Sequence, residues 1–129
     1  MICLVLQPQN VLVNQGKAKL ADFAMSSGVV VRASMKITAS TAGTDAYSAP
    51  EVVADGRASL SAASDMYSFG MLMYHMIEEE IPWSGESSTF IARKVQNGER
   101  PRFLASDWTP ELMELTTVCY VKEFNVVLN

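Results

Sequence analysis

Basic residues are scarce in this sequence. Ten lysines and arginines stand against fourteen aspartates and glutamates, a formal net charge of −4. No basic stripe is visible, which argues against a general nucleic-acid binder. Histidine occurs once, at His75, and cysteine twice, at Cys3 and Cys119. There is no CxxC pair, and one histidine cannot complete a zinc site with two distant cysteines. So little cysteine fits a reducing setting rather than a disulfide scaffold, so the expected address is cytoplasmic. No apolar run approaches the ~20 residues that span a bilayer. The apolar opening, residues 1–6, is too short for a secretory leader and lacks a basic flank. Internal repeats and low-complexity tracts are absent as well.

What is present is core material. Hydrophobic residues make up 49% and charged residues 19% of 129, enough to exclude disorder over most of the chain. The length allows one small domain or a piece of one. Charge is unevenly placed: residues 1–64 carry five basic and four acidic groups (+1), and residues 65–129 carry five and ten (−5).

Val11–Val13, the turn residues Asn14-Gln15-Gly16-Lys17 and Ala18–Leu20 read as a β-hairpin, with Gly16 at a position needing positive φ. Residues 25–48 hold many serines and threonines and little periodicity, which indicates a long loop. Phe69, Leu72, Met73, Met76 and Ile77 repeat at helical spacing within residues 64–79. Met66, Tyr67, Met71 and Tyr74 make that helix apolar nearly all round, the pattern of a buried central helix. Ser64 is the expected N-cap, and Pro82 marks the stop beyond Glu78-Glu79-Glu80. A second helix is expected over about residues 87–97, with Phe90, Ile91 and Val95 inward and Gly98 just past its end. A third begins at Thr109, Pro110 and Glu111 and places Leu112, Leu115 and Cys119 on one face. The fold class is therefore α+β, mostly α. The methionines read as core, His75 as structural, and the glutamates at 78–80 as a solvated helix end.

Four segments carry a resemblance. They are Gln7-Pro8-Gln9-Asn10-Val11-Leu12-Val13, Ala21-Asp22-Phe23-Ala24, Gly43-Thr44-Asp45-Ala46-Tyr47-Ser48-Ala49-Pro50-Glu51, and Ser64-Asp65-Met66-Tyr67-Ser68-Phe69-Gly70. In order and spacing they resemble the C-terminal lobe of a eukaryotic protein kinase. The third is similar to the Ser/Thr type, and Tyr67–Gly70 with Ile81-Pro82-Trp83 is similar to the tyrosine-kinase-like group. The resemblance implies a partial kinase domain over residues 1–129, with an activation-type loop at 25–48, a divergent tail at 120–129 and no N-lobe. It implies MgATP as the parent family's cofactor and a protein as substrate or partner; oligomeric state is left open. Asn10 and Asp22 would be the magnesium ligands, a hard-oxygen pair suited to that ion. Leu12 would lie under the adenine, and Phe23 would pack inside the lobe. Asp65 would hold the catalytic loop, while Leu72 and Met76 would form the buried floor. Thr44, Ala49, Pro50 and Glu51 would belong to the activation segment.

The departures are chemical. Aligned on Asn10, the position of the catalytic base is Val5, which cannot accept a proton, and that of the phosphate-contacting lysine is the neutral Gln7. Cys3 and Leu4 replace the preceding His and Arg, and Ala24 replaces a glycine. Leu4 removes the usual partner for a phosphate on Ser26, Ser27, Ser34, Thr38, Ser40 or Thr41. No glycine-rich phosphate loop and no strand lysine occur. The arginine that pairs with Glu51 in the family has no counterpart near the end of the chain. The expectation is a truncated chain that binds MgATP weakly and does not catalyse phosphoryl transfer alone. A non-catalytic, pseudokinase-type interaction module and a fragment without function are the alternatives.

Overall fold

Gln15 and Gly16 both adopt left-handed backbone, with φ of 49° and 72°. Two consecutive positive values make the tight turn whose twist suits a hairpin. The flanking strands, β1 (Val11–Asn14) and β2 (Lys17–Leu20), pair antiparallel with Val11 opposite Leu20 and Asn14 opposite Lys17. This computed structural model describes residues 6–21, 45–55 and 60–120. Val5, Asp22, Phe23, Thr44, most of the 25–48 loop and residues 121–129 lie outside the described residues.

Among the described residues four helices follow: α1 (Pro50–Asp55), α2 (Ala62–Glu78), α3 (Ser88–Gln96) and α4 (Pro110–Cys119). Short 3-10 turns at Pro8–Asn10 and Asp45–Tyr47 precede the hairpin and α1. The described residues are thus mostly helical with one small two-stranded sheet. Helix α1 is an addition to the sequence reading: six residues are too few to show a 3.6-residue period.

Each helix start has a local cause. Ser87 accepts the amide of Phe90 at the head of α3, and Thr109 accepts that of Leu112 at the head of α4, where Pro110 follows. Gly98, with φ of 83°, closes α3 as expected. The start of α2 differs from expectation. Its cap is Ser61, not Ser64; the two serines exchange bonds, each hydroxyl accepting the other's backbone amide. The helix therefore starts at Ala62, and Asp65 sits in its first turn.

Helix α2 is the axis on which α4 and the 45–47 turn pack, while α1 packs on α3. The core comprises Ala46, Tyr47, Ala49, Tyr67, Met71, Ile91, Val95 and Tyr120. Burial of each large apolar member contributes roughly 1.5–3 kcal/mol. The buried side of α2 combines Tyr67, Met71 and Tyr74 with Leu72 and Met73 of the stripe expected from spacing. Leu72 is buried as expected, but Met76 is 60% exposed. Its side of α2 faces Pro8 and Val11 across a cavity of about 270 Å³, so nothing described seals it.

On α4 the expected face is shifted too. Leu115 is exposed, and Thr116 and Cys119 are buried in its place. Gly70 sets that crossing: a Cβ there would lie 2.8 Å from the Cβ of Cys119 and 3.0 Å from the Tyr120 ring. Tyr120, expected to open the divergent tail, instead caps α4 and packs in the core.

Glu78 is not a solvated helix end. Its carboxylate accepts the amides of Leu104 (2.6 Å) and Ala105 (3.1 Å) and the indole N–H of Trp108 (2.6 Å). Burial pushes its carboxyl upward, but the three donors outweigh burial and hold it below its ordinary value. The connection between α3 and α4 is thereby tied to the last turn of α2. Stacking supports it, with the Phe103 and Trp108 rings 4.2 Å apart and Tyr74 6.4 Å from Trp108.

Candidate functional site

The sequence motifs converge on two places that α2 joins. The first is the open end of the hairpin. Pro8 begins a 3-10 turn, and the amide of Asn10 donates to the carbonyl of Gln7 at 2.9 Å. The amide of Ala21 then donates to the carbonyl of Asn10 at 2.8 Å, continuing the hairpin ladder by one step. Asn10 and Ala21 thus face each other at the last described step of the ladder, and Ala21 is followed in sequence by the expected ligand Asp22. Leu12 is 57% exposed on β1 and leaves an apolar surface open beside them. Gln7, half-buried, has a neutral amide where a lysine was expected by resemblance. Val5, Asp22, Phe23 and Thr44 lie outside the described residues.

The second place is the segment from Asp45 to Glu51. Although assigned to a long loop, its end is core: Ala46, Tyr47, Ser48 and Ala49 are all buried. The Ser68 hydroxyl donates to the Tyr47 carbonyl at 2.7 Å and pins the turn to α2. Pro50 starts α1, and Glu51 occupies its first turn.

His75 links the two places. Its Nδ1 is 2.5 Å from the Tyr47 hydroxyl, and the rings stack 6.1 Å apart. On its other side it lines the cavity with Pro8 and Val11. Burial pushes the Tyr47 hydroxyl up to about 12, so it keeps its proton. An imidazole that carries its proton on Nε2 lets Nδ1 accept from that hydroxyl. A structural histidine was expected; its position as the joint between both halves was not.

The Glu51 carboxylate stands close enough to Tyr67 to act on its hydroxyl. Its Oε2 is buried and makes no hydrogen bond with any described residue. A cation nevertheless reaches this neighbourhood, from the α3–α4 connection rather than from the chain's end. The Arg100 guanidinium lies 5.0 Å from the Tyr67 ring and 5.9 Å from that of Tyr120. It also donates to the carbonyls of Val95, Glu99 and Tyr120. Burial pushes the Tyr67 hydroxyl far above its ordinary value; Arg100 offsets part of that and Glu51 adds to it. Tyr67 thus feels both groups. Sequence spacing could not have shown this, because Arg100 lies 49 positions from Glu51.

Among the described residues no cluster of three or more His, Cys, Asp or Glu could hold a metal ion, and no helix is long and apolar enough to cross a membrane. The Cys119 thiol is free and buried, and burial pushes it up, so it behaves as a core group.

Comparison with known proteins gives this arrangement its class. The family model described as protein kinase domain matches residues 5–122, and the chain belongs to that family. Its relatives include the serine/threonine-protein kinase VIK of Arabidopsis thaliana, 35% identical over 126 residues, covering 93% of this chain and 28% of that protein. Serine/threonine-protein kinase PknL of Mycobacterium tuberculosis is 35% identical over 116 residues, covering 88% and 28% respectively. CBL-interacting protein kinase 20 of Oryza sativa subsp. japonica is 29% identical over 117 residues, covering 85% and 24%. The chain spans little more than a quarter of the length of the first of these relatives.

Proposed function

We propose that this chain is the C-lobe portion of a serine/threonine-type protein kinase of the tyrosine-kinase-like group, and that the chain as given does not transfer phosphate. The observation that supports the lobe assignment is the Asn10–Ala21 hydrogen bond, which closes the hairpin ladder between Asn10 and the residue that precedes Asp22 in sequence. An amide oxygen and a carboxylate are the donors that Mg²⁺ prefers, so this pair suits that ion. When bound, MgATP would supply the transferable phosphoryl group. The chain's own contribution is positional: Asn10 and Asp22 would hold the ion, and Leu12 would cover the base. Residues 45–51, fixed to α2 through Ser68 and His75, would frame the protein substrate.

The inactivity follows from residue chemistry. Val5 offers no proton acceptor at the base position, and Gln7 offers no charge at the lysine position. Loss of either group in a phosphoryl-transfer site costs orders of magnitude in rate. The parent protein's partner is a protein and its address cytoplasmic on this reading; with the basic residues so few, a nucleic acid is not proposed.

A Mg²⁺ titration followed by amide NMR tests the metal reading. The Asn10 and Ala21 signals should shift, with millimolar affinity, and Asp22→Asn should abolish the shift. Signals that stay still, or that move equally in Asp22→Asn, would overturn it. A second reading, a non-catalytic interaction module, is favoured by Val5 and Gln7 together with an intact helical body.

A further inference from the structure

The acidic half of the chain hides a basic groove. Of the five lysines and arginines after residue 64, three line one cavity: Lys94, Arg100 and Arg102. The cavity measures about 350 Å³, within the range of sites that take a side chain or a small ligand. It lies between the stretch after α2, the end of α3 and the start of the α3–α4 connection. Ile81, Trp83 and Leu104 supply its apolar wall. Leu104 is 77% exposed and Ile81 46%, so this wall faces solvent.

The three cations are in different states. Arg100 is anchored by backbone carbonyls. Lys94 is paired with Glu99 at 2.6 Å. Arg102 is exposed and has no ion pair among the described residues. Glu80 and Glu99 also line the cavity, leaving a local charge of 3 − 2 = +1 in a half of the chain that carries −5. A contact surface formed by the whole half would repel acidic partners; this groove attracts them locally.

We propose that this groove docks a protein partner through an acidic peptide segment that presents an apolar side chain between carboxylates. The apolar side chain lies against Ile81, Trp83 and Leu104, and a carboxylate meets Arg102. The proposal deepens the protein-partner reading and involves no phosphoryl transfer, so its failure leaves the kinase assignment standing.

The test is fluorescence anisotropy on the 129-residue chain with a short labelled peptide of alternating glutamate and leucine. Saturable binding is expected, weakened about tenfold by Arg102→Glu and also by Leu104→Ser. Arg93→Glu, an exposed cation of α3 outside the groove, should leave binding unchanged. Circular-dichroism melts confirm that each variant is folded, and amide shifts of the wild-type chain locate the peptide independently of any variant. Shifts should gather on residues 81–84 and 100–104. Absence of binding, equal binding of the glutamine–leucine or glutamate–serine peptide, equal loss in Arg93→Glu, or shifts elsewhere would each overturn the proposal.

Discussion

Residues 12–20 of the hairpin are all exposed, whereas Tyr47, Met71 and Val95 in the helical body are buried almost completely. The hairpin is specified by its two-residue turn and by the ladder it closes. A lone two-stranded hairpin is marginal in water. The helical body is specified by contacts between residues far apart in sequence: Ser68 with Tyr47, His75 with Tyr47, and Glu78 with Trp108. The comparison teaches that Asn10, a proposed metal-ligand position, stands beside the less anchored region, while residues 45–47 are fixed to the helical body.

The comparison can be broken most strongly in the core. Met71→Ala removes a side chain with no exposed surface and should cost about 2–5 kcal/mol in a urea melt, while hairpin amide shifts stay in place. Next is Glu78→Gln. Removal of a charged acceptor from three donors should cost about 2 kcal/mol. The sign with pH follows from the lowered carboxyl. Its stabilisation is complete above the ordinary value of 4.5 and is lost as pH falls through the lower folded value. The acid limb of a stability profile should accordingly flatten in Glu78→Gln. Ser68→Ala, which leaves the buried Tyr47 carbonyl without its hydroxyl donor, should cost about 1–2 kcal/mol and loosen residues 45–47 in hydrogen exchange.

Two smaller changes sharpen the contrast. Glu79 caps α2 with φ of 56°, a left-handed value that glycine adopts without strain. Glu79→Gly should stabilise the body by about 1 kcal/mol in the same melt. Gly16→Ala meets no atom within 4 Å, so its effect is purely one of backbone strain. It should weaken the hairpin by about 1 kcal/mol, read from local amide exchange, and leave the helical melt unchanged.

These residues also show what the sequence could reveal. The hairpin was legible because Gly16 announces its turn, and α3 and α4 because Ser87, Gly98, Thr109 and Pro110 mark their ends. The start of α2 was misplaced because Ser61 and Ser64 are both capping residues, three positions apart. Its buried face was legible in part, because a helix apolar all round carries little directional signal; Leu72 and Met73 are buried as spacing implies, Tyr67 and Met71 are core, and Met76 is not. The role of Glu78 was invisible, since its partners lie 26 to 30 residues away. At the candidate site, Asn10, Asp22 and Glu51 were legible only through a family pattern. An isolated amide or carboxylate has no signature of its own. Arg100 beside Tyr67 emerged only from the fold.

The most direct measurement is transfer of labelled phosphate from MgATP to a generic protein substrate by the purified chain, with Asp22→Asn measured alongside. The account predicts no transfer above the Asp22→Asn level, because Val5 and Gln7 replace the groups that phosphoryl transfer needs. Transfer by the unaltered chain that Asp22→Asn abolishes would contradict it.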